Sequence, residues 1–343
     1  MSATFLLVGC GRIGVRHAAI IAMQGHLLAV CDVIEVRASK LAEIYGAESF
    51  TDYNTMLQAF PQANAVAICT PNGLHAVHSI TALQQHFHVL CEKPMALTTT
   101  DCAAMMQAAI NAGKKLFIVK QNRFNPPVAA VKQLLEQNRL GNILSIQLSC
   151  FWNRSNDYYL NTWKGTKAMD GGTLFTQFSH FIDLLYWMFG DIKNIQAITK
   201  NSHHQNVIEF EDNGAVLLEF NSGIIGSIHY TVNAFKKNME GSLTIFGEKG
   251  TVKIGGQYLN ELEYQQIDNY QIPVLPKGNA ANQYGNYEGS MSNHAEVYEQ
   301  VIKAINQQNN LLITNSFEGL KTVEIIERIY LAAGKSPFTT HTK

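Results

Sequence analysis

A chain of 343 residues, 46% of them hydrophobic and with a formal net charge of −1, is long enough to bury two cores and offers no excess charge for a polyanion to read. No block of Lys or Arg occurs, and no apolar run approaches the ~20 residues of a membrane span. Nucleic acid and membrane are therefore not expected as partners, and a cytoplasmic protein is; small anionic ligands are not excluded.

The first apolar run, ending Leu6-Leu7-Val8, breaks into Gly9-Cys10-Gly11-Arg12-Ile13-Gly14, a G-x-G-x-x-G pattern followed by a helical stretch. Gly9 allows the turn, Gly11 lets backbone approach a pyrophosphate, and Gly14 lets the helix pack on its strand. The helix N-terminus is itself an anion site. A second strand, 27–31, ends in Asp32, which suits the adenosine ribose and repels a 2′-phosphate, so NAD is expected over NADP. Arg37 works against that preference. Further strands are predicted at 4–8, 65–69, 89–91 and 115–119, alternating with helices as in a parallel sheet. Thr70-Pro71-Asn72 with His75, and Glu92-Lys93-Pro94, fall at strand ends, where ligands of such sheets lie. Beside a nicotinamide, Lys93 can act as a base, because desolvation and the ring's charge lower an ammonium pKa.

With these three motifs the chain resembles the Gfo/Idh/MocA family of nicotinamide-dependent sugar oxidoreductases. The resemblance implies an α/β Rossmann domain, here 1–121, followed by an α+β domain, 122–343, for substrate binding and oligomerisation, with an open, mainly antiparallel sheet. It also implies a homo-oligomer, dimer or tetramer.

The later pattern agrees. A helix over 128–138 is followed by strands at 143–151, 192–199, 215–220, 224–232 and 242–254, with hairpin turns at Asp212-Asn213-Gly214, Ser222-Gly223 and Glu248-Lys249-Gly250. Two helices, 293–306 and 317–333, come last. Residues 170–183 read as one helix, with Phe175, Phe178 and Ile182 toward the core and Thr176, His180 and Asp183 on another face. Family members commonly carry an aspartate where Thr176 stands. Threonine does not ionise near neutral pH, so the proton acceptor is Lys93 or His180.

Lys120-Gln121-Asn122-Arg123-Phe124-Asn125-Pro126-Pro127, Phe151-Trp152-Asn153-Arg154, the stretch from Gly172 to His180 and that from Asn233 to Ser242 resemble one subgroup, the UDP-N-acetylglucosaminuronate 3-dehydrogenases. This implies oxidation of the C3 hydroxyl of UDP-2-acetamido-2-deoxy-glucuronate with NAD in bacterial surface-polysaccharide (O-antigen) synthesis. For some members it implies 2-oxoglutarate as reoxidant. The catalytic residues implied are Lys93 and His180. Gly9, Gly11, Arg12, Ile13, Gly14, Asp32, Thr70, Pro71, Asn72, His75, Glu92, Lys93 and Gln121 are implied for the cofactor. For the UDP-linked aminouronic acid they are Lys93, Arg123, Asn125, Arg154, Tyr159, Lys164, Thr176, Gln177, His180 and His294. Lys167, Tyr158 and Trp163 stand in the same polar stretches. Residues 276–289, glycine-rich and without period, read as a loop or lid. An unactivated sugar or inositol as substrate, and a non-catalytic NAD sensor, are the competing readings.

Cys10, Cys31, Cys69, Cys91, Cys102 and Cys150 lack C-x-x-C spacing and read as reduced, buried filling. The pairs His75/His78, His86/His88 and His203/His204 have no cysteine or acid at ligand spacing, so no metal is expected.

Overall fold

The computed structural model describes residues 2–283, 288–306 and 315–335. The chain forms two compact units, Met1–Val119 with His294–Val323, and Lys120–Asn293 with Glu324–Lys343.

In the first unit, β1 (Thr4–Val8), β2 (His26–Cys31), β3 (Glu48–Phe50), β4 (Ala65–Ile68), β5 (His88–Cys91) and β6 (Leu116–Ile118) form one parallel sheet in the order β3-β2-β1-β4-β5-β6. β4 is buried at every position and β1 nearly so, as unbroken apolar runs under helices on both faces must be. The crossovers are α1 (Arg12–Gln24), α2 (Glu35–Tyr45), α3 (Tyr53–Ala59), α4 (His75–Gln84) and α5 (Thr99–Ala112). Helix α10 (His294–Asn306) also belongs to this unit, against the expectation that everything after 121 lies in the second domain. The cause is apolar packing: α10 lies on α1, and its fully buried Tyr298 meets Phe5 edge-on at 5.5 Å.

The second unit opens with α6 (Pro126–Glu136), which starts earlier than its periodicity indicates because Pro126 and Pro127 suit the first helical turn. Its seven-stranded sheet runs β13 (Glu261–Ile267), β12 (Gly250–Gly255), β11 (Glu240–Gly247), β7 (Ile143–Phe151), β10 (Ile225–Thr231), β9 (Asn213–Phe220), β8 (Ile192–Lys200). All neighbours are antiparallel except β7 and β10, which are parallel. The outer face leaves Ile198 (78%), Leu217 (59%) and Ile225 (61%) exposed. β14 (Ala281–Gln283) and β15 (Glu288–Met291) pair antiparallel and overlap the stretch read as a lid; residues 284–287 of that stretch lie outside the described residues.

The single helix expected over 170–183 is instead α8 (Thr173–Thr176) and α9 (Ser179–Phe189), after the short α7 (Asn156–Tyr159). The break falls at Phe178, whose ring is buried against Trp152, Phe181 and Tyr230 and so draws the chain out of helical register. Helix α11 (Ser316–Ala332) closes the described chain.

Below α8, the Glu211 carboxyl accepts hydrogen bonds from Tyr330 Oη (2.7 Å) and Tyr230 Oη (3.2 Å). Burial pushes its pKa up from 4.5 to about 7. A carboxyl raised by folding contributes stability below its unfolded pKa and loses it as pH rises. Between pH 4.5 and 7 this site should therefore cost ~1.4 kcal/mol per pH unit, about 3 kcal/mol in all. Urea midpoints across that range should show the decline in wild type, and Glu211→Gln should flatten it. An unchanged slope in the variant would refute the assignment.

Candidate active site

The glycine loop is shaped by what a side chain would meet. Gly9 has φ +94°, and a Cβ there would lie 2.5 Å from the Cys69 carbonyl. At Gly14 a Cβ would lie 1.9 Å from the Gly9 carbonyl, which is the close strand–helix approach the motif requires. A Cβ on Gly11 would meet nothing within 4 Å, so open space lies before the N-terminus of α1. Gly11 gives that helix no side-chain cap, and its first turn holds no acid. A helix N-terminus that faces open space fits a dinucleotide pyrophosphate. Arg12 is exposed and Ile13 half-buried beside them.

Asp32 follows β2, and its Oδ2 accepts from the Cys10 N–H and its Oδ1 from the Ile34 N–H, both at 2.8 Å. Each oxygen keeps a lone pair for a ribose hydroxyl. Asp32→Ala should weaken NAD binding and lessen discrimination against NADP, since it removes both acceptor and repulsion. Fluorescence titration with both dinucleotides checks this; a wild type that prefers NADP would contradict it.

At the next strand ends, Thr70 Oγ1 lies 3.2 Å from His78 Nδ1, and Asn72 is buried in the turn after Pro71. His75, expected to meet the cofactor, is buried with Nδ1 2.7 Å from the Pro94 carbonyl and Nε2 2.9 Å from that of Thr70. It braces two loops. Glu92 is buried as well. Burial alone would raise its carboxyl, but His17 and His294 hold it well below the usual carboxylate range. Lys93 stands half-exposed at this edge. His294, expected at the substrate, packs here beside Glu92 because it begins α10.

In the second unit His180 is 4% exposed, and its Nε2 lies 2.9 Å from Gln121 Nε2. With the amide donating, the imidazole carries its proton on Nδ1. Gln121, expected at the cofactor, also reaches Ser290 Oγ at 3.1 Å, so its amide is held on two sides. Arg123, expected at the substrate, is tied to Asp183. Its Nε and Nη2 grip Asp183 at 2.8 and 2.7 Å, Lys120 Nζ joins at 2.6 Å, and the guanidinium lies 4.8 Å over Trp187. Burial would raise the Asp183 carboxyl, but the two cations hold it far below its ordinary value. Asn125, expected at the substrate, donates to the carbonyls of Tyr258 and Leu259 and accepts from Asn293. Tyr159, expected at the substrate, packs its ring in a core with Ile208 and Phe210.

The cationic and aromatic residues that do gather are Arg154, Tyr158, Trp163, Lys164 and Gln177. Arg154 Nε donates to Gln177 Oε1 (2.8 Å), whose Nε2 donates to Tyr158 Oη (2.8 Å). The Arg154 guanidinium lies 5.2 Å over Tyr158, and Lys164 Nζ lies 4.9 Å over Tyr158 and 5.0 Å over Trp163. Lys167 is exposed outside this group. Thr176 donates to the buried carboxylate of Asp170, whose other oxygen accepts from the Gly165 N–H at 2.8 Å. Asp170 was not read as a site residue. Asn238, within the stretch from Asn233 to Ser242, accepts from Arg154 Nη1 (3.1 Å) and the Asn153 N–H (2.9 Å).

Two family models match, "Oxidoreductase family, NAD-binding Rossmann fold" over residues 3–120 and "GFO/IDH/MocA C-terminal domain" over 128–253. The chain belongs to the Gfo/Idh/MocA family. It is thus an oxidoreductase whose first domain is of the NAD-binding Rossmann type. Among Gfo/Idh/MocA structures it is similar to the WlbA dehydrogenase from Bordetella pertussis in complex with NADH and UDP-GlcNAcA, at 33% identity over 97% of both chains with a TM-score of 0.85. The WlbA dehydrogenase from Chromobacterium violaceum, in complex with the same two ligands, is 34% identical over 100% of this chain and 97% of its own, again with a TM-score of 0.85. A curated relative, the levoglucosan dehydrogenase of Pseudarthrobacter phenanthrenivorans, is 24% identical over 75% of this chain and 74% of its own. All six cysteines are buried and none is in a disulfide, and burial pushes the Cys10 thiol up to about 12, which keeps it protonated. No helix among the described residues is long and apolar enough to cross a membrane.

Proposed function

We propose that this protein oxidises the C3 hydroxyl of UDP-2-acetamido-2-deoxy-glucuronate to the 3-keto sugar with NAD. The observation that carries this reading is full-length similarity, at 33–34% identity, to two dehydrogenases crystallised with NADH and UDP-GlcNAcA. The Arg154, Tyr158, Trp163 and Lys164 group supports it, because a diphosphate and a uronate need cations and a uracil needs a flat apolar partner.

In this reading Gly9, Gly11, Arg12, Ile13, Gly14, Asp32 and the turn Thr70-Pro71-Asn72 hold NAD, which when bound supplies the hydride acceptor. The hydroxyl proton leaves separately, to Lys93 or to His180. Gln121 fixes the imidazole tautomer, so that the ring presents a defined face to the sugar. Thr176 gives its proton to Asp170 and presents lone pairs, which suits it to accept from a substrate hydroxyl or amide. We place the enzyme in the cytoplasm, in surface-polysaccharide (O-antigen) sugar synthesis. It works as a homo-oligomer, dimer or tetramer, that covers Ile198, Leu217 and Ile225.

The test is steady-state NADH formation with UDP-N-acetylglucosaminuronate, with and without 2-oxoglutarate. Turnover with this nucleotide sugar and none with inositol or free sugars is expected. Turnover with an unactivated sugar, together with no calorimetric binding of UDP, would replace this reading by that of a simple sugar dehydrogenase.

A further inference from the structure

The tripeptide Glu92-Lys93-Pro94 is held at both ends by buried histidines. At the Pro94 end stands His75, already described. At the Glu92 end the carboxylate is 5% exposed and three groups converge on it. His17 Nε2 donates to Oε1 at 2.8 Å, and His294 Nε2 lies 3.3 Å from the same oxygen. The Lys93 main-chain N–H donates to Oε2 at 3.1 Å. His17 is fixed in turn, with Nδ1 2.7 Å from Tyr298 Oη.

A glutamate at a strand end is solvated without cost, so a buried one needs a compensating use. Here the use is registration. His17 lies on α1, the helix that begins at Gly11, and Glu92 precedes Lys93. A single carboxylate thus ties the helix behind the glycine loop to the residue that carries the amine. With Glu92 on the Lys93 N–H and His75 on the Pro94 carbonyl, the backbone around Lys93 is pinned on both sides.

We infer that His17 is a positioning residue that acts through Glu92 to hold Lys93 in register with the glycine loop. The inference rests on the reading of Lys93 as a group that handles the substrate proton. A displacement of about 1 Å in such a group can cost on the order of 10²-fold in rate. Gln in place of His17 keeps an N–H donor for Glu92, and Leu keeps bulk without one.

The test compares His17→Leu, His17→Gln and Lys93→Met as full-length folded proteins, reading kcat, KM for NAD, melting temperature and metal content. His17→Leu should lower kcat on the order of 10- to 100-fold with KM for NAD within a few fold, and His17→Gln should recover most of that loss. If His17→Leu keeps wild-type kcat while Lys93→Met is inactive, the inference fails and the assignment of Lys93 stands. Equal losses in both His17 variants, tracking melting temperature, would reduce His17 to packing and overturn it. The ligand atoms of His17, Glu92 and His294 all lie within 4.8 Å of one another, so one equivalent of divalent metal that disappears in His17→Leu would also overturn it, in favour of a metal centre. Full turnover of Lys93→Met would remove the inference together with its premise.

Discussion

Lys93→Met should lower kcat by ~10²–10⁴-fold while NAD affinity stays within a few fold, because removing a positioned general base costs about that much and the glycine-loop contacts do not involve the amine. His180→Asn should do the same, and the larger of the two losses identifies the base. Thr176→Ala should cost much less, since a hydroxyl already committed to Asp170 orients and does not ionise. Single-turnover NADH formation with saturating nucleotide sugar separates chemistry from release. Near wild-type turnover in both Lys93→Met and His180→Asn would mean that the site is misplaced, and a non-catalytic NAD-binding role would regain ground.

The other large effect concerns stability. Asp183→Ala strips Lys120 and Arg123 of the carboxylate that both contact below 3 Å, and removing one partner of a buried ion pair costs ~3–5 kcal/mol. The pH dependence follows from the depressed carboxyl. Its contribution is complete above the unfolded pKa of about 4 and is lost on acidification below it, so wild type and variant should converge in stability toward acid. Urea denaturation at neutral pH and in acid checks both statements. A difference below about 1 kcal/mol at neutral pH would show that water or neighbouring groups take over the compensation.

What was legible in the sequence is chemistry that works through local backbone. Gly9, Gly11 and Gly14 act within one turn, and Asp32 ends a strand whose apolar run is unmistakable, so the Rossmann fold and its cofactor could be read directly. The long strands of the second sheet were equally plain, because one face of each is apolar. Two short or polar edge strands, β3 and β13, carry no sustained pattern; Glu261-Leu262-Glu263-Tyr264 alternates for only four residues before Gln265-Gln266 breaks the period. The break at Phe178 was hidden because the apolar spacing runs through it, and only tertiary packing of the ring decides where the helix stops. The side-chain partnerships that the sequence does not show share a cause. Arg123, Asn125 and His294 find their partners far along the chain, and a polar residue in a loop-like stretch does not announce whether its partner is a ligand or another side chain. Arg123 and Asp183 are 60 residues apart. His17, on the apolar helix after the glycines, gave no signal at all.

The return of α10 to the first unit has a consequence for how the protein is made and how it can be re-engineered. The parallel sheet is complete at Ile118, but the helix that covers α1 and brings His294 to Glu92 emerges only after the whole of Lys120–Asn293 has been synthesised. At roughly 5–20 residues per second that interval is on the order of 10 s, during which the nascent nucleotide-binding unit has an open flank and Glu92 has His17 alone. The two units are therefore not modules in series along the gene. A chimera that swaps the second unit must be spliced at both of its ends and must carry the original α10 with the original α1, or the new protein will lack part of its own cofactor domain.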